Sequence, residues 1–185
     1  QDDHVHFDNN TVIFEFRGKS GKEHEIALRD KRLAALVKTC QELPGQRLFQ
    51  YYDEQGNLTA LTSTDVNAYL REVTGFDFTA KDFRTWGGTI LAARLLHEAG
   101  DANSESEAKK RIVAAIKGVA QTLGNTPAVC RQSYIHPAIL TAYEQRQLPT
   151  FYCPANDECI QMLQNLDEIA VMTLLQECES GESTS

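Results

Sequence analysis

The chain has 185 residues, 42% of them hydrophobic and 24% charged, which suits one soluble globular domain with a real core. No apolar run approaches the ~18 residues that a membrane span needs, and no leader-like segment opens the chain. The formal net charge of -8 argues against a uniformly basic, phosphate-binding surface.

The distribution of charge is more permissive than its sum. Residues 151–185 hold Asp157, Glu158, Asp167, Glu168, Glu177, Glu179 and Glu182 and no Lys or Arg. The segment alone carries -7, which leaves residues 1–150 at -1, with 18 basic against 19 acidic side chains. A local cationic site in a nearly neutral body is therefore open. The five cysteines, at 40, 130, 153, 159 and 178, lack Cys-x-x-Cys spacing or a paired histidine cluster. They point to no zinc site and no disulfide framework, and to a reducing cytosolic compartment.

In chain order, Val12, Phe14 and Phe16 alternate with Ile13, Glu15 and Arg17, and His24, Ile26 and Leu28 resume the period of two. Two strands follow from that pattern. Between them Gly18-Lys19-Ser20-Gly21-Lys22 reads as a glycine-flanked hairpin tip, basic and mobile. A helix is predicted over about 31–42, closed by Pro44 and Gly45. A short extended piece near Leu48–Tyr52 precedes a helix starting around Ser63–Asp65.

The second half reads as almost wholly helical. Thr79-Ala80-Lys81-Asp82 resembles a capping box that opens a helix towards Glu98. Ser104-Glu105-Ser106-Glu107 is a second box, leading into Ile112, Ile116, Val119 and Leu123 on one face. Gly124 fits a C-cap, and Thr126-Pro127 fits the N-cap and first position of the next helix. Residues 125–134 thus form a tight elbow and a short helix that delivers Tyr134. Another short helix begins at Pro137. The last, about 156–177, is amphipathic and acidic, with Ile160, Leu163, Leu166, Ala170 and Leu174 on the face that packs on the core, and 179–185 should fray.

Three stretches carry chemistry: Phe16-Arg17-Gly18-Lys19-Ser20-Gly21-Lys22, Lys81-Asp82-Phe83-Arg84-Thr85-Trp86-Gly87, and Leu123-Gly124-Asn125-Thr126-Pro127 running on to Ser133-Tyr134. Together, and in this order, they resemble the catalytic domain of type IB DNA topoisomerases, in the small bacterial and poxvirus-like branch. The resemblance runs from about residue 5 to the last helix. It implies a mainly α fold with a small N-terminal β-hairpin or sheet, the fold shared by tyrosine recombinases and type IB topoisomerases. It also implies relaxation of supercoiled DNA by transient cleavage and religation of one strand.

The resemblance makes Tyr134 the nucleophile that forms a 3′-phosphotyrosyl link and expels the 5′-hydroxyl. A phenol with a pKa near ~10 is a poor nucleophile at neutral pH without cations beside it. Read alone, Tyr134 is equally a helix tyrosine with a satisfied hydroxyl. Lys19 matches the general acid for the leaving 5′-oxygen, and an amine of pKa ~10.4 suits proton donation to an alkoxide. Read alone it is a solvated turn lysine; a phosphate-loop reading fails because Ile13 stands where the earlier glycine is required. Arg84 matches the arginine that holds the non-bridging oxygens, where a guanidinium gives two parallel bonds and favours the pentacoordinate transition state. Its alternative is a surface ion pair with Asp82 or Glu98. Asn125 stands where many relatives carry a histidine; its amide still donates a hydrogen bond, without charge. Arg17, Lys22, Lys81 and Arg131 are candidates for flanking phosphates.

One family feature departs. A further phosphate-binding arginine lies upstream of the hairpin lysine in relatives, and here only Arg17 precedes Lys19. The resemblance therefore implies a catalytic domain over 1–178 without the upstream part and without the N-terminal domain that clamps DNA. Loss of one such contact costs ~3–4 kcal/mol, or ~10²–10³ in rate, so relaxation by this piece alone should be weak or absent. The implied partner is double-stranded DNA, bound by a monomer of the cytoplasm or nucleoid, with no cofactor, metal or ATP, because one phosphodiester is exchanged for another. Two other readings compete. A tyrosine recombinase would place a histidine where Lys81 stands. A non-catalytic DNA-binding or interaction module would act through its acidic last helix.

Overall fold

A computed structural model describes residues 4–18, 21, 23–45, 47–149 and 160–182, with side chains of the last helix described for 167–178 and 180. These residues form two compact units, 1–79 and 80–185. Lys19 and Lys22 lie outside the described residues, as do 156–159 of the last helix and the tail 183–185. The chain is mostly helical with two small antiparallel sheets, as the sequence implies. No helix among the described residues is long and apolar enough to cross a membrane.

In the first unit β1 (Val5–Asp8), β2 (Thr11–Arg17) and β3 (Glu23–Arg29) form an antiparallel sheet in that order. The β2–β3 ladder runs from Thr11 opposite Arg29 to Arg17 opposite Glu23. β1 adds a strand that the alternation at 12–16 does not announce: a two-residue link with Asn9 in the left-handed region (φ 52°) folds it back on β2. α1 (Lys31–Gln41) starts at Asp30, whose carboxylate accepts the Leu33 amide at 2.8 Å. Val37 of α1 closes on Val5, Val12 and Leu48 to make this unit's core. A two-stranded ribbon, β4 (Gln50–Tyr52) and β5 (Leu58–Ala60), follows. α2 (Ser63–Thr74) opens with a full capping box between Thr62 and Asp65 and ends at Gly75 in the left-handed region.

The second unit is built of α3 (Ala80–Ala99), α4 (Glu105–Leu123), α5 (Pro127–Ser133), α6 (Pro137–Glu144) and α7 (Ile160–Glu182). Ser104 caps α4 as the sequence predicts, accepting the Glu107 amide, while the Glu107 carboxylate reaches back to the Asn103 amide at 2.8 Å. The apolar stripe of α4 (Ile112, Ile116, Val119) meets Ala92, Ala93 and Leu96 of α3, Ile139 and Leu140 of α6, and Val171 and Leu174 of α7. Burial of each large aliphatic group contributes roughly 1.5–3 kcal/mol, so this cluster is the main support of the unit. α7 continues through Glu182, past its expected end near 177. It is tied to α3 by Arg94 and Asp167, 2.6 Å apart, with the carboxylate 5% exposed.

Candidate active site

Arg84 stands on the second turn of α3 with an exposed side chain. Its guanidinium lies over the Tyr134 ring, 5.2 Å from the centroid, within the range of a cation–π contact. Its Nη2 donates to the Leu123 carbonyl at the end of α4. That carbonyl lacks an intrahelical partner by its position, and a cation there also meets the negative end of the helix dipole.

The elbow after α4 is set by Gly124 in the left-handed region (φ 66°), which a side chain would strain. The Asn125 amide then reaches back to Ala120 O at 2.9 Å. Asn125 Nδ2 donates to the same Leu123 carbonyl that Arg84 uses, at 3.0 Å. Two donors from separate elements therefore converge on one oxygen. Thr126 caps α5 through its hydroxyl, with Pro127 at the first position as the sequence predicts.

Tyr134 is the C-cap residue of α5: its amide bonds to Cys130 O at 2.9 Å, and its backbone (φ -130°, ψ 1°) leaves the helix there. The ring is half-buried at the edge of the helical core. Tyr143 is its counterpart inside the core, buried and donating its hydroxyl to Gly100 O at 2.8 Å. Cys130 is fully buried beneath the elbow. Burial pushes its thiol above the ordinary range, and the nearby charge of Arg84 opposes that rise.

The structure thus brings Tyr134, Arg84 and Asn125 together, all in the second unit. Lys19 and Lys22 lie outside the described residues. Arg17 closes the hairpin end, its Nε donating to Gly21 O at 3.1 Å. Lys81 is exposed in the first turn of α3, and Arg131 is exposed three residues before Tyr134. Among the described residues no three His, Cys, Asp or Glu side chains gather as a metal site.

Sequence reading missed the contacts that hold Tyr134 against α3. Thr85 Oγ1 donates to Ser133 O at 3.1 Å, and Thr89 Oγ1 accepts the His136 amide at 3.1 Å. Between them Gly88 leaves room for main chain, since a Cβ there would sit 2.4 Å from the Tyr134 carbonyl oxygen. The one hint in the sequence is the unusual Gly87-Gly88 pair inside a helix.

A family model for the catalytic core of eukaryotic DNA topoisomerase I matches residues 1–150. The curated DNA topoisomerase 1B of Acanthamoeba polyphaga mimivirus is 33% identical over 168 residues, covering 86% of this chain and 49% of the relative. The chain spans about half the length of that relative. With the motifs in family order and a mainly helical fold to carry them, the chain belongs to the type IB DNA topoisomerase family.

Proposed function

We propose that this chain cleaves and reseals one strand of duplex DNA, with Tyr134 as the nucleophile and with only weak relaxation of supercoils by this piece alone. The observation that carries the reading is the convergence of Arg84 and Asn125 on the Leu123 carbonyl, with the same guanidinium over the Tyr134 ring. Donors placed to share one carbonyl oxygen are also suited to the non-bridging oxygens of a phosphate beside the phenol, and the phosphate would replace Leu123 as acceptor. Arg84 would make a charge-assisted, two-pronged contact and Asn125 a neutral one.

In the forward step the Tyr134 oxygen bonds to phosphorus and the bond from phosphorus to the 5′-oxygen breaks. Lys19 hands its proton to that oxygen, and the phenolic proton leaves to solvent. The result is a 3′-phosphotyrosyl link and a free 5′-hydroxyl. Religation reverses each transfer, so the phosphodiester count is conserved and no ATP is consumed. Arg84 and Asn125 stabilise the added equatorial charge of the transition state more than the ground state. Arg17, Lys22, Lys81 and Arg131 bind flanking phosphates. The protein acts as a monomer on duplex DNA, in the cytoplasm if its source is bacterial.

A denaturant quench of the protein with nicked or supercoiled duplex tests this. A covalent protein–DNA adduct should form with the wild-type chain, disappear in Tyr134→Phe, and form ~10²–10³ times more slowly in Arg84→Ala. No adduct at saturating protein, or an adduct that survives Tyr134→Phe, would overturn the assignment.

A further inference from the structure

Resting on the function proposed above, we propose that Thr85, Gly88 and Thr89 act as a main-chain clamp that positions the nucleophile. The three occupy one face of α3, at spacings of three and four residues, directly beside Arg84. They grip the chain on both sides of Tyr134 and leave its side chain untouched.

Each contact has a definite chemical sense. Thr89, 2% exposed, donates its hydroxyl proton to Thr85 O at 2.8 Å, which leaves an oxygen lone pair to accept the His136 amide at 3.1 Å. Thr85 has carbonyl acceptors on two sides, Lys81 O at 3.0 Å and Ser133 O at 3.1 Å. Its single proton divides between the helix and the tyrosine segment. Gly88 supplies the close approach: the Tyr134 carbonyl lies where the β-carbon of any other residue would stand. α5 holds the Tyr134 amide through Cys130 O, but the backbone turns non-helical at this residue, and beyond the amide the clamp sets its course.

The consequence is geometric. Arg84 and the clamp belong to one helix, so their spacing is fixed by helix geometry. Tyr134, held by the clamp, inherits a fixed position relative to the guanidinium. A reacting oxygen misplaced by ~1 Å loses on the order of 10² in rate even when every chemical group remains.

The test uses the full chain with duplex DNA. Thr85→Val and Thr89→Val remove hydroxyls at nearly constant shape, and Gly88→Ala adds one methyl that must push the Tyr134 carbonyl away from α3. The clamp predicts that single-turnover adduct formation falls on the order of 10²-fold in each, with DNA affinity close to wild type, and that Thr85→Ser restores the rate. It predicts a fall greater than any loss of folded fraction at the assay temperature, although Gly88→Ala and Thr89→Val melt lower than wild type. It also predicts that the His136 amide is protected from hydrogen exchange in the wild-type protein and loses that protection in Thr89→Val. Wild-type rates in the folded Thr85→Val and Gly88→Ala variants would overturn the clamp and leave the function standing. Losses that merely track DNA affinity or the folded fraction would also overturn it. An unprotected His136 amide in the wild-type protein overturns it without any variant. Absence of adduct from the wild-type chain would instead sink the proposed function, and this inference with it.

Discussion

Residues 80–185 and residues 1–79 differ in how much core stands behind their functional groups. In the helical unit, α3, α4, α6 and α7 share a continuous apolar cluster that includes Ala92, Leu96, Val119, Ile139 and Val171, all fully buried. Arg84, Asn125 and Tyr134 stand on its margin. In the first unit the cluster reduces to Val5, Val12, Val37 and Leu48, while Phe16, Ile26 and Leu28 of the hairpin strands remain exposed and α2 buries no residue. The difference matches the demands on each. Groups that must meet one phosphate within fractions of an ångström need a rigid support. The hairpin, to which the proposed mechanism assigns the proton donor, rests on a thinner one.

The largest expected effect is the loss of all covalent DNA adduct in Tyr134→Phe, since the proposed link is to the phenolic oxygen that this variant lacks. Next is Arg84→Ala, at ~10²–10³ in cleavage rate. Arg84→Lys should recover only part of that, because a single ammonium cannot make the planar paired contact. Both are kinetic losses in a unit that stays folded. Paired core truncations probe the contrast between the two units directly. Leu96→Ala should cost ~2–5 kcal/mol of unfolding free energy and abolish adduct formation as the helical unit loosens. Leu48→Ala should destabilise the smaller core while the helical unit, followed by Trp86 fluorescence, keeps its melting behaviour. Equal loss of the Trp86 signal in both variants would erase the contrast.

Smaller effects concern titration and labelling. The Thr62 hydroxyl and amide hold the Asp65 carboxyl below its ordinary range. A depressed carboxyl stabilises the fold above the unfolded-state pKa, and that contribution disappears as pH falls through the folded one. The start of α2 should therefore fray as the pH falls below the ordinary carboxylate range, which the amide signals of Ser63–Val66 would report, and Asp65→Asn should remove the effect. Smallest of all, the exposed Cys178 should alkylate well before the buried Cys130, whose thiol burial also keeps protonated. Equal labelling rates would show that the elbow above Cys130 opens readily.

Much of this architecture was legible because local chemistry dictates it. Ser104 and Thr126 cap their helices, Gly124 terminates α4, and period-two alternation marks β2 and β3. The elements that escaped reading are short or long-range. β1 has four residues and depends on a left-handed Asn9. The extended piece expected near 48–52 is β4, but its partner β5 escaped reading; the ribbon is closed by Asp53 accepting the Gln55 and Asn57 amides. At the site, motif spacing named Arg84, Asn125 and Tyr134 but not their shared acceptor, because a backbone carbonyl has no sequence signature. The clamp joins residues 47 and 48 positions apart through hydroxyls that look like ordinary helix threonines. The Arg94–Asp167 pair is hidden in the same way, within a helix that reads as amphipathic and acidic.

The proposed chemistry stands or falls on a covalent bond between Tyr134 and DNA. Its most direct test is to trap the adduct, digest both partners, and locate the nucleotide-bearing residue by mass spectrometry. The expected product is a 3′-linked nucleotide on the phenolic oxygen of Tyr134. A nucleotide on any other residue, or attached through its 5′ end, would contradict it.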